Sequence, residues 1–290
     1  MSGPVDLTWK GEGGLPLYAR DYAGSGGPAR CPVVCIHGLT RNSGDFEDVA
    51  PWIAARGRRV IAVDVRGRGR SARDPQPERY HPRVYAADML KLLDEAGIAR
   101  AVFVGTSMGG IITMAIAAKR LDAIAAAVLN DVGPIIGMQG LERIKNYVGK
   151  APEVRSWDEA AAYIKSINGV AFPDNTPEEW LRWARRTFRA SEDGRIALDY
   201  DPKIAAAIQG TKLKPTSLIA KFLYRRLARN RPTLLVRGGV SDIVGPAEAD
   251  YMRRTAPTLR YAEVPGVGHA PMLTEPAART ALASFLDEVA

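Results

Sequence analysis

The chain has 290 residues, 46% apolar and 25% charged, close to the averages of folded soluble domains and enough for one large domain or a domain carrying a substantial insertion. That balance excludes a disordered chain, a collagen-like repeat and a disulfide scaffold. The formal charge of +8 comes from basic residues scattered singly or in pairs among acidic ones, which describes a solvated surface and not the contiguous patch that nucleic acid or an anionic membrane requires.

No basic segment followed by an apolar stretch opens the sequence, and no run of about 18 apolar residues occurs, so neither a signal peptide nor a membrane span is expected and a cytoplasmic location is the default. Residues 9–22 are broken by Gly13, Gly14 and Pro16 and followed by Gly24, Gly26, Gly27 and Pro28. This is the pattern of an antiparallel hairpin and a turn. Short apolar runs follow at 32–36, 60–64, 101–104, 126–130, 233–236 and 261–264, with helical patterns between them. One such pattern, 84–96, sets Met89, Leu92, Leu93 and Ala96 at helical spacing, and 111–118 reads as a buried helix. Strands alternating with helices in this way build a mostly parallel sheet. Cys31 and Cys35 would share one face of a strand with Cα atoms about 13 Å apart, too far for a disulfide.

Between 134 and 230 the strand signal vanishes and helical patterns containing Trp157, Trp180 and Trp183 take over. The chain therefore divides into a core, 1–133 with 231–290, and a helical insertion, 134–230.

The strongest chemical signal is Gly105-Thr106-Ser107-Met108-Gly109, placed between an apolar strand and an apolar helix. A serine hydroxyl becomes a nucleophile only when a base removes its proton, and a tight strand-to-helix turn holds it exposed in a strained pose. Side chains at Gly105 and Gly109 would collide as the chain doubles back. The three histidines are His37, His81 and His269; only His269 follows the serine, at the end of a glycine-rich loop past the last strand, so it is the expected base. Their separation also argues against a metal site. An acid must orient the base and stabilise its imidazolium. Asp242 and Asp131 compete for this role, both after strand ends and both in the chain order Ser, Asp, His. Asp242 is preferred, and Asp131 is otherwise a turn residue before Gly133-Pro134. Two backbone amides should stabilise the developing oxyanion, that of Met108 and that of Leu39 in the loop His37-Gly38-Leu39-Thr40. His37 itself is expected to orient this loop. Arg41 is a candidate for reading a substrate carboxylate. The glycine-rich stretch from Asp64 to Ser71 lacks the spacing of a nucleotide loop and is read as a structural turn.

Taken together, His37-Gly38, Asp64-x-Arg66-Gly67-x-Gly69-x-Ser71, Gly105-x-Ser107-x-Gly109-Gly110, Asp242 and Gly268-His269 resemble the α/β-hydrolase superfamily, in order and over essentially the whole chain. The resemblance implies an α/β-hydrolase fold: a mostly parallel eight-stranded sheet flanked by helices, with a helical cap inserted after the sixth strand and a Ser-His-Asp triad. Haloalkane dehalogenases and epoxide hydrolases carry aspartate where this chain has Ser107. The loop after His37 lacks the His-Gly-x-Gly-Pro-Gly pattern of the meta-cleavage carbon-carbon hydrolases. Met108 stands where prolyl aminopeptidases usually have tryptophan. The expected activity is hydrolysis of a small to medium, largely apolar carboxylic ester through an acyl-enzyme, with a small-molecule substrate and without a cofactor. Alternatives are cleavage of a carbon-carbon bond or an enol-lactone by the same triad, and a catalytically silent member that only binds a ligand.

Overall fold

The structure, a computed structural model, describes residues 3–26, 30–150, 153–191, 193–206 and 214–289; Gly27 and Pro28 of the expected turn lie outside these. The central strands are short runs of β-branched and small apolar residues. β3 (Val33–Ile36), β4 (Val60–Asp64), β6 (Ile124–Asn130) and β9 (Thr233–Gly238) are buried along their whole length. Such strands need cover on both faces, which favours parallel pairing with crossover helices.

The main sheet has eight strands in the order β1-β2-β4-β3-β5-β6-β9-β10. Parallel ladders join β4, β3, β5 (Ala101–Thr106), β6, β9 and β10 (Arg260–Val264). The expected hairpin is β1 (Val5–Lys10) with β2 (Pro16–Tyr22), and β2 continues antiparallel onto β4. Alternation along each strand sends side chains to opposite layers. Val34, Ile36, Phe103 and Leu129 face α2 (Pro82–Glu95) and α3 (Met108–Lys119), whereas Val33, Cys35, Val102 and Val104 face α1 (Val49–Ala54) and the C-terminal helix Pro276–Glu288. Each such fully buried Val, Ile or Phe contributes about 1.5–3 kcal/mol by leaving water. Cys31 and Cys35 are both free thiols.

The segment between β6 and β9 contains α4 (Met138–Tyr147), α5 (Trp157–Asn168) and α6 (Pro177–Thr187). Helix α6 starts at a capping box in which the Thr176 hydroxyl and the Glu179 carboxylate accept from each other's backbone amides. It places Trp180, Trp183, Ala184 and Thr187 on its buried face, the i, i+3, i+4, i+7 stripe of an amphipathic helix. With Ala160, Ile164, Phe172 and Phe188, the residues Trp180, Trp183 and Ala184 give the insertion a small core of its own.

Two features depart from the sequence reading. A hairpin, β7 (Phe188–Ala190) with β8 (Ile196–Leu198), lies in a stretch read as strand-free; strands of three residues are too short to show an alternating pattern. The helix just before β9, α7 (Leu218–Ala228), packs against α3 in the core, where Tyr224 and Leu227 are fully buried and the Tyr224 hydroxyl donates to the Met252 carbonyl at 2.8 Å. Helix α7 thus belongs with the core layers, and the part of the segment that has a small core of its own precedes it.

Polar contacts fasten that part to the core. The Arg186 guanidinium reaches the carboxylates of Glu47 and Asp48, and the Asn42 side-chain amide donates to the Arg186 carbonyl at 2.8 Å and the Asp199 carboxylate at 3.1 Å. The Gly69 amide donates to the Asp199 carbonyl at 2.9 Å, and the Asp201 amide to the Gly67 carbonyl at 2.7 Å.

Candidate active site

Ser107 stands between β5 and α3 with φ of +51°, a left-handed conformation that costs a non-glycine residue about 1–3 kcal/mol and that persists only where the surroundings impose it. The surroundings do so by close backbone packing. A Cβ on Gly105 would lie 2.4 Å from the Gly109 carbonyl carbon, and one on Gly109 would lie 2.0 Å from the Ile36 carbonyl oxygen. These two glycines let strand and helix approach until the serine is lifted clear of both.

His269 meets Ser107 from the loop beyond β10, with its Nε2 2.9 Å from Ser107 Oγ. On the other side of the ring, Nδ1 lies 2.7 Å from Oδ2 of Asp131. Asp131 follows directly on β6, has φ of +54°, and is fully buried. Its carboxylate also accepts from the Gly238 amide at 3.0 Å and from the Ser241 hydroxyl at 2.5 Å. These donors hold it in one orientation, and its remaining direction takes the Nδ1–H of His269, so Nε2 is left to face the serine hydroxyl.

Asp242, the preferred acid at the sequence level, is not bonded to His269. The Arg143 guanidinium of α4 takes it, with Nε at 2.6 Å from Oδ2 and Nη2 at 2.8 Å from Oδ1. Burial pushes the Asp242 carboxyl up, but the Arg143 bonds and charge outweigh it and leave the group below its ordinary range. The correction has a simple physical origin. Both loops end near the imidazole, and the inserted helix supplies a cation that only one of the two carboxylates meets.

The second candidate oxyanion donor, Leu39, lines the cavity beside Ser107. Met108 occupies the first helical position of α3, where an amide has no acceptor within its own helix. His37 is fully buried beneath this loop: the Val65 amide donates to its Nε2 at 3.0 Å, so Nδ1 carries the proton and donates to the Gly38 carbonyl at 2.7 Å. Burial pushes its pKa down to about 4, and the neutral ring ties the loop to the end of β4. Arg41 lines the cavity as well. Its Nε is 2.9 Å and 3.0 Å from the two Asp45 carboxylate oxygens, its Nη2 also reaches Asp45, and its Nη1 reaches the Thr187 hydroxyl. The charge expected to read a substrate carboxylate is thus already met within the wall.

The cavity over Ser107 measures about 100 Å³. Core loops form its floor, and Ile144, Tyr147, Ile164, Ile167 and Trp183 of the insertion form its roof.

A family model described as the alpha/beta hydrolase family matches residues 33–283, which include every residue of this site. The chain belongs to the alpha/beta hydrolase family. Among curated relatives, a 3-hydroxybutyrate-oligomer hydrolase of Cupriavidus necator is 33% identical over 266 residues, covering 90% of each chain. The sn-1-specific diacylglycerol lipase ABHD11 of Mus musculus is 27% identical over 84% of this chain and 76% of its own. A crystal structure of an alpha/beta hydrolase from Novosphingobium aromaticivorans superposes with a TM-score of 0.91 at 40% identity, covering 99% of both chains.

Within this alpha/beta hydrolase, some contributors to the site had no sequence signal. Ser241 and Arg143 act on the two aspartates from 110 and 99 residues away, and the roof residues are ordinary apolar positions of amphipathic helices. Among the described residues, no group of three or more His, Cys, Asp or Glu side chains is placed to hold a metal ion, and no helix is long and apolar enough to cross a membrane.

Proposed function

We propose that this alpha/beta hydrolase cleaves small to medium, largely apolar carboxylic esters through an acyl-enzyme intermediate. The observation that carries the reading is the continuous relay from Ser107 Oγ to His269 Nε2 at 2.9 Å and from His269 Nδ1 to Asp131 at 2.7 Å. In the first half of the reaction Ser107 Oγ attacks the ester carbonyl while His269 accepts its proton. Asp131 stabilises the imidazolium and keeps the ring in place. The Met108 and Leu39 amides receive the negative charge of the tetrahedral intermediate, where preorganised donors act most strongly. Collapse expels the alcohol, protonated by His269, and leaves the acyl group on Ser107. A water molecule that gives its proton to His269 then attacks the acyl-enzyme and releases the acid.

The cavity supports this substrate class. Apolar walls in a space of about 100 Å³ suit a short acyl chain, and Arg41, engaged by Asp45, offers no free charge to a carboxylate. Esters of short hydroxy acids are the first to try, because the relative at 33% identity is a 3-hydroxybutyrate-oligomer hydrolase. The test is a p-nitrophenyl ester series from acetate to dodecanoate, run beside a dienoic ring-cleavage ketone and with fluorophosphonate labelling of Ser107. The expected result is a maximum of kcat/KM at the short acyl chains, labelling of the wild type, and a loss of kcat in Ser107→Ala of roughly 10⁴- to 10⁶-fold. Turnover of the ketone with inertness toward every ester, or an unlabelled Ser107, overturns it.

A further inference from the structure

The turn after β4 contains an arginine that the mechanism above leaves unused. Arg68 is 1% exposed, and no carboxylate is paired with it among the described residues. Its neighbour Arg66, equally buried, is matched by Asp88 and Asp74. Arg58, also buried and not bonded to a carboxylate among the described residues, lies on the Leu286 and Val289 carbonyls at the end of the C-terminal helix, where the helix dipole favours a cation. Arg68 has no helix end. Burying a charge without such a partner is costly, so the place where this one is held is informative.

Its guanidinium contacts one residue in each of the two segments that carry the candidate oxyanion donors. Nε donates to the Leu39 carbonyl at 2.9 Å, and Nη2 lies 3.6 Å from the Met108 sulfur. Nη1 donates to the Arg66 carbonyl at 2.8 Å and to the Tyr85 hydroxyl at 2.9 Å. The cation also sits over the rings of Tyr85 at 5.1 Å and Tyr80 at 5.7 Å, an arrangement that stabilises a desolvated guanidinium without neutralising it. Leu39 and Met108 are the two residues whose amides face the reacting oxygen in the ester-hydrolase reading. One side chain therefore contacts both residues, at the Leu39 carbonyl and the Met108 sulfur, and among the described residues no carboxylate is bonded to it.

We infer that Arg68 is a positioning residue for the oxyanion site: it holds the Leu39 loop and the start of α3 at a common distance and adds positive potential where negative charge develops. This inference rests on the ester-hydrolase reading. It selects for the transition state, because the ground-state ester carries no charge at that oxygen. The lysine of Arg68→Lys retains the charge and loses the fork that spans Leu39 and Met108.

The experiment compares wild type, Arg68→Met and Arg68→Lys with p-nitrophenyl butyrate, reading kcat and KM separately, together with the inhibition constant of n-butylboronic acid, which forms a tetrahedral anion on the serine. The expected result is a fall in kcat of about 100-fold in Arg68→Met and about 10-fold in Arg68→Lys, with KM within about threefold and the boronate constant weakened in parallel with kcat. A purely structural arginine would alter the thermal midpoint without this parallel. Either a kcat of Arg68→Met within threefold of wild type, or a loss that appears in KM with boronate affinity unchanged, overturns the inference. If Arg68→Met does not fold, Arg68→Lys decides by the same criteria. A wild type that cleaves no ester and binds no boronate overturns the ester-hydrolase reading itself, whereas an active wild type with indifferent variants overturns only the role of Arg68.

Discussion

Two aspartates at neighbouring loop ends have opposite surroundings: Asp131 accepts from an amide, a hydroxyl and an imidazole, and Asp242 faces a guanidinium. Asp131→Asn is expected to lower kcat by about 10⁴-fold by presenting the wrong tautomer of His269, as loss of the orienting acid does in other triads. Asp242→Asn should stay within about threefold, and steady-state kinetics of the two variants separate the assignments. His37 gives a prediction of a different kind. Burial holds its pKa down to about 4, whereas in the unfolded chain it titrates near the ordinary value of about 6.5. As pH falls the unfolded state takes up the proton first, so the stability contributed by the neutral ring is complete above about pH 6.5 and is lost between there and pH 4. Thermal midpoints of wild type and His37→Gln across that interval should show a shallower fall in the variant. The contact between Ser107 and His269 was legible in the sequence because one lies in a local motif and the other was singled out by elimination. The aspartate that meets His269 was not, because the choice between two strand-end carboxylates depends on Arg143 of an inserted helix, which no local pattern reveals.

Among the elements, the parallel strands and their helices were readable from uninterrupted apolar runs and helical spacing, with ends that moved by a few residues. The pieces that could not be read are those whose form depends on tertiary contact. The hairpin β7–β8 has too few residues to carry a period, and α7 joins the core through Tyr224 and Leu227 although it lies in the inserted stretch between β6 and β9. The junction that seats the hairpin makes a testable case. Burial raises the pKa of Asp199 to about 6, with nearby Asp64 adding to the effect and Arg189 opposing it. For a carboxyl raised in the folded state, the associated stability is full below the unfolded value of about 3.9 and disappears as pH rises through 6. Asp199→Asn removes that ionisation cost. Its thermal midpoint should exceed that of wild type at pH 8, by about half as much at pH 5, and show no gain below about pH 3.9.

At the scale of the molecule, two kinds of cohesion coexist. The sheet and its helices share continuous apolar layers, whereas α5 and α6 build a small separate apolar cluster, which meets the core through Val267 and Met272 and through polar links such as Arg186 with Glu47 and Asp48. Elements held in this way open at lower free energy than the global transition. In hydrogen exchange, amides of α5 and α6 should exchange ahead of those in β3, β5 and β6. Raising NaCl to 1 M should widen the gap, because the Debye length there is only about 3 Å. Uniform protection across roof and sheet would contradict this division.

The sheet is open, with β1 at one border and β10 at the other, and each border leaves main-chain groups that a second strand could adopt. Charged side chains occupy both: Asp6 and Lys10 along β1, Arg260 and Glu263 along β10. Lateral growth from one molecule to the next would bring these charged positions into a seam about 4.8 Å wide, where their side chains would be crowded and partly desolvated. The same arrangement that leaves the sheet unclosed thus discourages its extension from one molecule into the next.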